Sequence, residues 1–209
     1  MNTRILAGLP PFLSILLLAA CNVVPSAQSD STRFYVLSSP PLPVTAPASS
    51  GLRLGLRSVD VAEYLRNRSI IVRQGPNELV PDDYNRWAES LDSGIMRILR
   101  TSLVAAPNVG RVFSQPFPLD SDRDYDIAVT VLHCEGVRSG LSRAASHFSA
   151  LVEITSGGPD PKVVARLNFT APDSALNGRD YDELAARLSD AVSGLARGIV
   201  AALPAAARQ

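Results

Sequence analysis

Apolar and polar positions follow two periods along this chain, and the switch between them marks its elements. Leu52, Leu54 and Leu56 alternate with Arg53 and Arg57, the pattern of a strand with one buried face. Phe34-Tyr35-Val36-Leu37 predicts a short strand before it, and Ser69 to Arg73 another after it, with the Pro-rich run Pro40 to Ser50 as a loop. The period then changes. Trp87, Leu91, Ile95, Ile98 and Leu99 recur at helical spacing, so they share one face of a first helix. Pro81, Asp82 and Asp83 sit where a helix start favours them, and Pro107 with Gly110 ends the run. Period two returns in Tyr125/Ile127/Val129/Val131, Phe148/Ala150/Val152/Ile154 and Val163/Ala165/Leu167/Phe169. Gly136 with Gly140, and Gly157-Gly158-Pro159, separate these runs at hairpin distances, which predicts three antiparallel strands.

A second helix follows. Asp180 with Glu183 three residues later reads as a capping box, and Leu184, Leu188, Val192, Leu195, Ile199 and Leu203 form a stripe ending at Pro204. Gly194 and Gly198 make a GxxxG, which outside lipid reads as close packing. Strands, helix, strands, helix without internal repeat predict an α+β fold: a mixed, largely antiparallel sheet with two long helices packed on one face.

The first twenty residues have a different character. Arg4 precedes the mostly apolar stretch Ile5 to Ala20, which is broken by Pro10 and Pro11. It is too short to span a bilayer core of roughly 30 Å and reads as a secretory signal. Its end, Leu18-Ala19-Ala20-Cys21, resembles the bacterial lipobox. That resemblance implies a diacylglyceryl thioether on Cys21 and, after cleavage, an N-acyl chain on the same residue; several acyl chains hold a protein on a membrane where one would not. Asn22 follows where an aspartate would, in the enterobacterial sorting pattern it resembles, retain the protein at the inner membrane. The expectation is therefore the periplasmic face of the outer membrane. The expected organisation is a lipoprotein signal peptide over 1–20, a lipidated N-terminus and tether over 21–33, one domain over 34–204 and a tail over 205–209.

Composition narrows the function. With 209 residues, 46% hydrophobic, 19% charged and a formal net charge of zero, the chain has ample material for a core and is not disordered. The zero balance lacks the basic excess that neutralises phosphates, which argues against nucleic acid as partner. Without Cys21, Cys134 is alone, so the mature domain has no internal disulfide.

Candidate chemistry is thin. His133 and Cys134 are adjacent in a predicted strand and point to opposite faces, so they do not form a nucleophile and base. A hairpin near Gly140 places His133 and His147 opposite each other, but no second cysteine or placed carboxylate completes a metal site. Asp120, Asp122, Asp124 and Asp126 alternate, yet the glycine and terminal carboxylate of a calcium loop are replaced by Tyr125 and Val131; a solvated turn is the simpler reading. No P-loop or GxGxxG is present, and an enzyme is not expected.

The lipobox, Phe34-Tyr35-Val36-Leu37, the segment from Val59 to Val72 (VDVAEYLRNRSIIV) and Arg86-Trp87-Ala88-Glu89-Ser90-Leu91 together resemble the PqiC (YmbA) family of ABC-transport auxiliary lipoproteins. The chain departs from that pattern at Ala62 and Ser69, where the family has proline, near Cys134, where it has an aromatic, and near Val152, where it has tryptophan. The resemblance implies a non-enzymatic subunit without cofactor beyond the lipid on Cys21, working with an ABC permease and an inner-membrane-anchored, PqiB-like MCE-domain protein in lipid transport between membranes. It further implies docking of the MCE component and a homo-oligomeric ring. Tyr64, Leu65 and Trp87 are the candidate partner contacts, with core anchoring as the competing role for Trp87. The alternative is a stand-alone periplasmic carrier holding a lipid or other apolar ligand.

Overall fold

A computed structural model describes residues 31–38, 51–119, 121–139, 143–177 and 180–204. The signal segment, Cys21, Asn22, most of the tether, the Pro-rich loop, Asp120, Gly140 and the tail lie outside the described residues. Among those described, nine strands and two α-helices run in the order β1 (Arg33–Tyr35), β2 (Leu52–Val61), a 3-10 turn (Glu63–Arg66), β3 (Ser69–Arg73), β4 (Leu79–Trp87), α1 (Leu91–Val104), β5 (Val109–Ser114), β6 (Tyr125–Ser139), β7 (Arg143–Ser156), β8 (Val163–Thr170), β9 (Ser174–Leu176) and α2 (Tyr181–Ala202). The fold is α+β with a mixed, open sheet.

The long hairpin β6–β7 is the spine of the sheet, paired antiparallel from Tyr125↔Ser156 to Ser139↔Arg143. Each outer edge of this hairpin carries two shorter strands end to end. On β6, β2 pairs parallel along Tyr125 to Val131 and β3 pairs parallel at Gly136 and Val137. On β7, β8 pairs along Ser149 to Thr155 and β9 along Ala144 to Ser146. β5 extends the sheet beyond β2, while β4 and then β1 extend it beyond β3.

Both helices cover one face. α1 packs on β2, β5 and α2, and α2 packs chiefly on β7 and β8. The face they cover presents Leu54, Leu56, Ile127, Val129, Val131, Phe148, Ala150, Val152 and Ile154, all buried. The alternation shifts phase once on each paired strand. Bulges after Leu56 in β2 and after Val131 in β6 move the buried positions to Val59 and Val61, and to Cys134. The helical stripes supply the opposing layer: Leu91, Ile95, Ile98, Leu99 and Leu103 from α1, and Leu184, Leu188, Val192, Leu195 and Ile199 from α2. Each such buried aliphatic side chain contributes about 1.5–3 kcal/mol relative to exposure.

Two sequence expectations change. Leu79–Trp87 is strand β4, and α1 begins at Leu91, so Pro81-Asp82-Asp83 is no helix start. Asp82 instead accepts the N–H groups of Tyr84 and Asn85 at 2.9 and 2.8 Å, using its carboxylate to close a bulge inside the strand. Trp87 shares the four-residue spacing of the helix but is the last residue of β4. The second correction is β5, a strand the residue pattern did not predict: it begins at Val109, so Gly110 lies inside a strand and not in a break after the helix. At α2, Asp180 accepts from the N–H groups of Asp182 and Glu183, but Glu183 accepts from the N–H of Asn177 rather than from its cap residue, so the box is half formed. Gly194 and Gly198 lie against β8: a Cβ would meet Phe169 Cζ at 3.3 Å and Leu167 Cδ2 at 3.4 Å, respectively. Their role in the fold is close helix–sheet packing.

Candidate functional site: a broken strand and a buried polar cluster

The segment from Val59 to Val72 runs through a parallel strand interrupted in the middle. β2 and β3 follow the same edge of β6, and between them the chain steps outward through the 3-10 turn Glu63–Arg66. The interruption leaves backbone groups of β6 without strand partners, and buried carbonyls need partners. Ala62 N–H donates to the carbonyl of Val131 at 2.9 Å, and the hydroxyl of Tyr64 donates to the carbonyl of Leu132 at 3.0 Å. Tyr64 thus stands in for the missing strand. Leu65, beside it, is 1% exposed and anchors the turn into the core, and Trp87 is 3% exposed. Of the three candidate contacts, Leu65 and Trp87 are therefore core residues in this fold, and Tyr64 alone keeps part of its surface.

Beside Tyr64 lies Glu135, fully buried on β6. Arg73 Nε donates to Glu135 Oε1, its Nη1 donates to the carbonyl of Pro76 at 3.0 Å, and its guanidinium lies 6.0 Å from the centre of the Tyr64 ring. The second oxygen of Glu135, Oε2, has no hydrogen-bond partner. Burial, and then the negative charge of the neighbouring Glu135, push the Tyr64 hydroxyl well above the usual phenol range. The Glu135 carboxylate in turn raises Arg73. Tyr64 is therefore a neutral hydrogen-bond donor at physiological pH and not a proton carrier.

The two histidines extend this cluster. Register places His133 opposite Ser149 and His147 opposite Glu135, so the imidazoles are diagonal neighbours, with ring centroids 4.9 Å apart in an edge-to-face arrangement. His133 Nδ1 contacts Ser149 Oγ at 2.8 Å, and His147 Nδ1 contacts Asp173 Oδ1 at 2.8 Å. Burial depresses the His133 pKa, and the neighbouring His147 and Arg73 act in the same direction against Glu135. Cys134 faces the core, 1% exposed, and burial pushes its thiol up to about 12, the condition of an inert thiol. His133 and Cys134 lie on opposite faces, as their adjacency requires.

The acidic run is not a solvated turn throughout. Asp122 and Asp124 pair with Arg53 at 3.5 and 3.8 Å, but Asp126 is 2% exposed and receives both Arg57 (3.1 Å) and Arg123 (2.7 Å). Gly55 makes room for this lock, because a Cβ there would stand 2.2 Å from Asp126 Oδ1. Among the described residues no group of three or more His, Cys, Asp or Glu side chains is arranged to hold a metal ion. Sequence reasoning passed over Arg73 and Glu135. The available signal was a lone acidic residue inside an apolar strand pattern, opposite a break between two strands.

Comparisons with known proteins bear on the whole domain. The crystal structure of protein XCC0632 from Xanthomonas campestris, a DUF330 protein, superposes with a TM-score of 0.67 at 20% identity, covering 81% of this chain and 93% of that one. A crystal structure of an uncharacterized protein gives a TM-score of 0.61 at 21% identity, covering 81% and 97%. The PelC dodecamer from Paraburkholderia phytofirmans gives 0.43 at 12% identity, covering 76% and 93%. The first two share this fold. No curated protein matches the chain. A family model described as ABC-type transport auxiliary lipoprotein component matches residues 35–200, a range that runs from the end of β1 through nearly all of α2, and the chain belongs to that family.

Proposed function

We propose that this protein is a non-enzymatic lipoprotein subunit of an MCE/ABC-type intermembrane lipid transport system, fastened by lipid on Cys21 to the periplasmic face of the outer membrane. The observation that carries this reading is a family match spanning residues 35–200 directly behind the lipobox Leu18-Ala19-Ala20-Cys21. In this reading the domain docks a PqiB-like MCE protein and assembles as a ring. Family membership supports a transport-associated, envelope-located role; the MCE partner, the ring and the outer-membrane face belong to the proposal.

The architecture is consistent with a docking role. A sheet with helices on one face leaves its other face and its edges for contacts, and tethering raises local concentration so that weak contacts suffice. Among the described residues no helix is long and apolar enough to cross a membrane, and the proposed attachment is the acyl chains. The proposal assigns no reaction to the domain. In support of that, the Cys134 thiol is buried, and His133 and His147 are engaged with Ser149 and Asp173.

Crosslinking in native envelopes tests the reading. Recovery of an MCE-domain protein with this chain is the expected outcome, and repeated recovery of this chain without one contradicts it. A stoichiometric lipid retained by the gently purified domain, seen by native mass spectrometry, would instead favour the stand-alone carrier.

A further inference from the structure

None of the bulge residues of β4, Asp82 to Asn85, is fully buried, yet the bulge is firmly braced. Between the pairs Ser69↔Arg86 and Ile71↔Pro81, one residue of β3 stands opposite four residues of β4, a large excursion. The Asp82 carboxylate holds it. Oδ1 accepts the N–H groups of Tyr84 and Asn85 and the Asn85 side-chain amide, while Oδ2 accepts the hydroxyl of Tyr181, the first residue of α2, at 2.6 Å. Burial pulls the Asp82 pKa up, but these donors together hold it below the usual carboxylate range. The result of this bracing is a tyrosine in solvent: Tyr84 is 61% exposed.

Tyr84 is not alone at this edge. β1 pairs parallel with the end of β4, Phe34 beside Arg86, and Phe34 and Val36 are 61% and 50% exposed. Arg33, Arg68 and Arg86 are exposed here, and no acidic side chain pairs with them in an ion bridge among the described residues; Arg86 Nε reaches only the carbonyl of Asp83. The opposing charge is the exposed Asp83, since Asp82 is engaged internally. Exposed apolar side chains also occur at the other end of the sheet, at Leu151, Val163 and Val164, but there Arg166 is paired with Glu153. Of these two edges, only the first combines aromatic, aliphatic and unpaired guanidinium groups.

Chain length limits how far this edge can stand from the anchor. Arg33 is twelve residues from Cys21, a stretch that spans at most about 40 Å. We infer that the β1–β4 edge rests on the surface of the bilayer that holds the Cys21 acyl chains, an inference that depends on the lipidation proposed above. Phe34, Val36 and Tyr84 enter the headgroup–acyl boundary, where tyrosine and other aromatic side chains are favoured. Arg33, Arg68 and Arg86 reach the lipid phosphates, burying their stems while their charged ends stay in the polar layer.

Full-length protein purified from membranes, with its N-terminal mass measured first, is reconstituted into phosphatidylethanolamine/phosphatidylglycerol vesicles. Phe34→Trp and Tyr84→Trp each add a reporter, while the buried Trp87 supplies a constant background, and Val163→Trp reports from the far edge. With lipids brominated near the headgroup, the added emission at positions 34 and 84 is expected to fall at least twofold, with no change at position 163. Adding Arg33→Gln and Arg86→Gln should reduce that quenching. Equal quenching at all three positions, or none at 34 and 84, overturns the inference. So does efficient disulfide dimerisation of Phe34→Cys on the vesicles, which would make a second copy the occupant. An N-terminus without acyl mass is a separate failure, that of the lipidation reading.

Discussion

Two buried carboxylates stand nine residues apart on β6, and they are satisfied to different degrees. Asp126, near the start of the strand, accepts hydrogen bonds on both oxygens: Arg123 Nε on Oδ1, and Arg57 and Arg123 on Oδ2. Glu135, past the bulge, has Arg73 on one oxygen and nothing on the other. The first sits where β2 runs beside β6, with Gly55 yielding space to the side chains. The second sits where the parallel strand is interrupted, and there Ala62 N–H and the Tyr64 hydroxyl replace the ladder on β6 while Arg73 is the one partner of the carboxylate. Strand pairing on both sides lets a buried charge be enclosed by matched arginines, whereas a broken strand leaves part of one unanswered. An incompletely satisfied buried charge makes its one partner more important.

The largest expected effect follows from that asymmetry. Arg73→Ala removes the ion-pair partner of the Glu135 carboxylate and should lower stability by about 3–5 kcal/mol, read as a shift in the urea midpoint. Asp126→Asn leaves Arg57 and Arg123 with an uncharged acceptor, and because Arg57 is already partly exposed it can return to water; the expected loss is about 1–3 kcal/mol. If the two losses are equal, the contrast between the sites fails. Gly55→Ala forces a methyl into the Asp126–Arg123 contact and should cost about 1–3 kcal/mol through overpacking, with no comparable sensitivity at Gly75, where a Cβ meets nothing closer than 3.8 Å. The double change Arg73→Met/Glu135→Met removes both charges with their desolvation and should fall within about 1 kcal/mol of the parent, or above it.

The smallest effect separates the two regions by pH. His133 has its pKa lowered in the fold, so the unfolded chain binds the proton more readily. Stability from this group is present above its unfolded pKa of about 6.5 and declines as pH falls below that value toward the folded one. Urea midpoints should therefore drop between about pH 7 and pH 5, and His133→Gln should flatten that slope while Asp126→Asn leaves it in place.

How far the sequence disclosed this arrangement depends on the physics of each part. The stripes of α1 and α2 and the alternation in β6, β7 and β8 were legible because one face of each is buried, and burial writes its period into the residues. The hairpin near Gly140 also placed the histidines together. Trp87 misled because a four-residue gap to Leu91 is compatible with a helix, and Asp82 because an acidic residue after proline serves a bulge as well as a helix start. Asp126 looked like a surface acid because the nearby Arg123 reads equally well as a surface partner, and nothing local reveals Arg57, which is sixty-nine residues away. Glu135 was hidden for the same reason: its partner Arg73 is brought to it only by a parallel pairing across the 3-10 turn. Local patterns carry periodicity, while charge pairing between distant strands is decided by register.

Everything proposed for this protein depends on the residue at position 21. Mass spectrometry of the N-terminal peptide from the native membrane fraction tests it directly. The predicted result is a chain beginning at Cys21 with a diacylglyceryl thioether and an N-acyl group, and a Cys21→Ala variant that is released or held as unprocessed precursor. A mature chain free of acyl groups and soluble in the periplasm, or a Cys21→Ala variant that is processed to mature length and still sediments with the outer membrane, would contradict it.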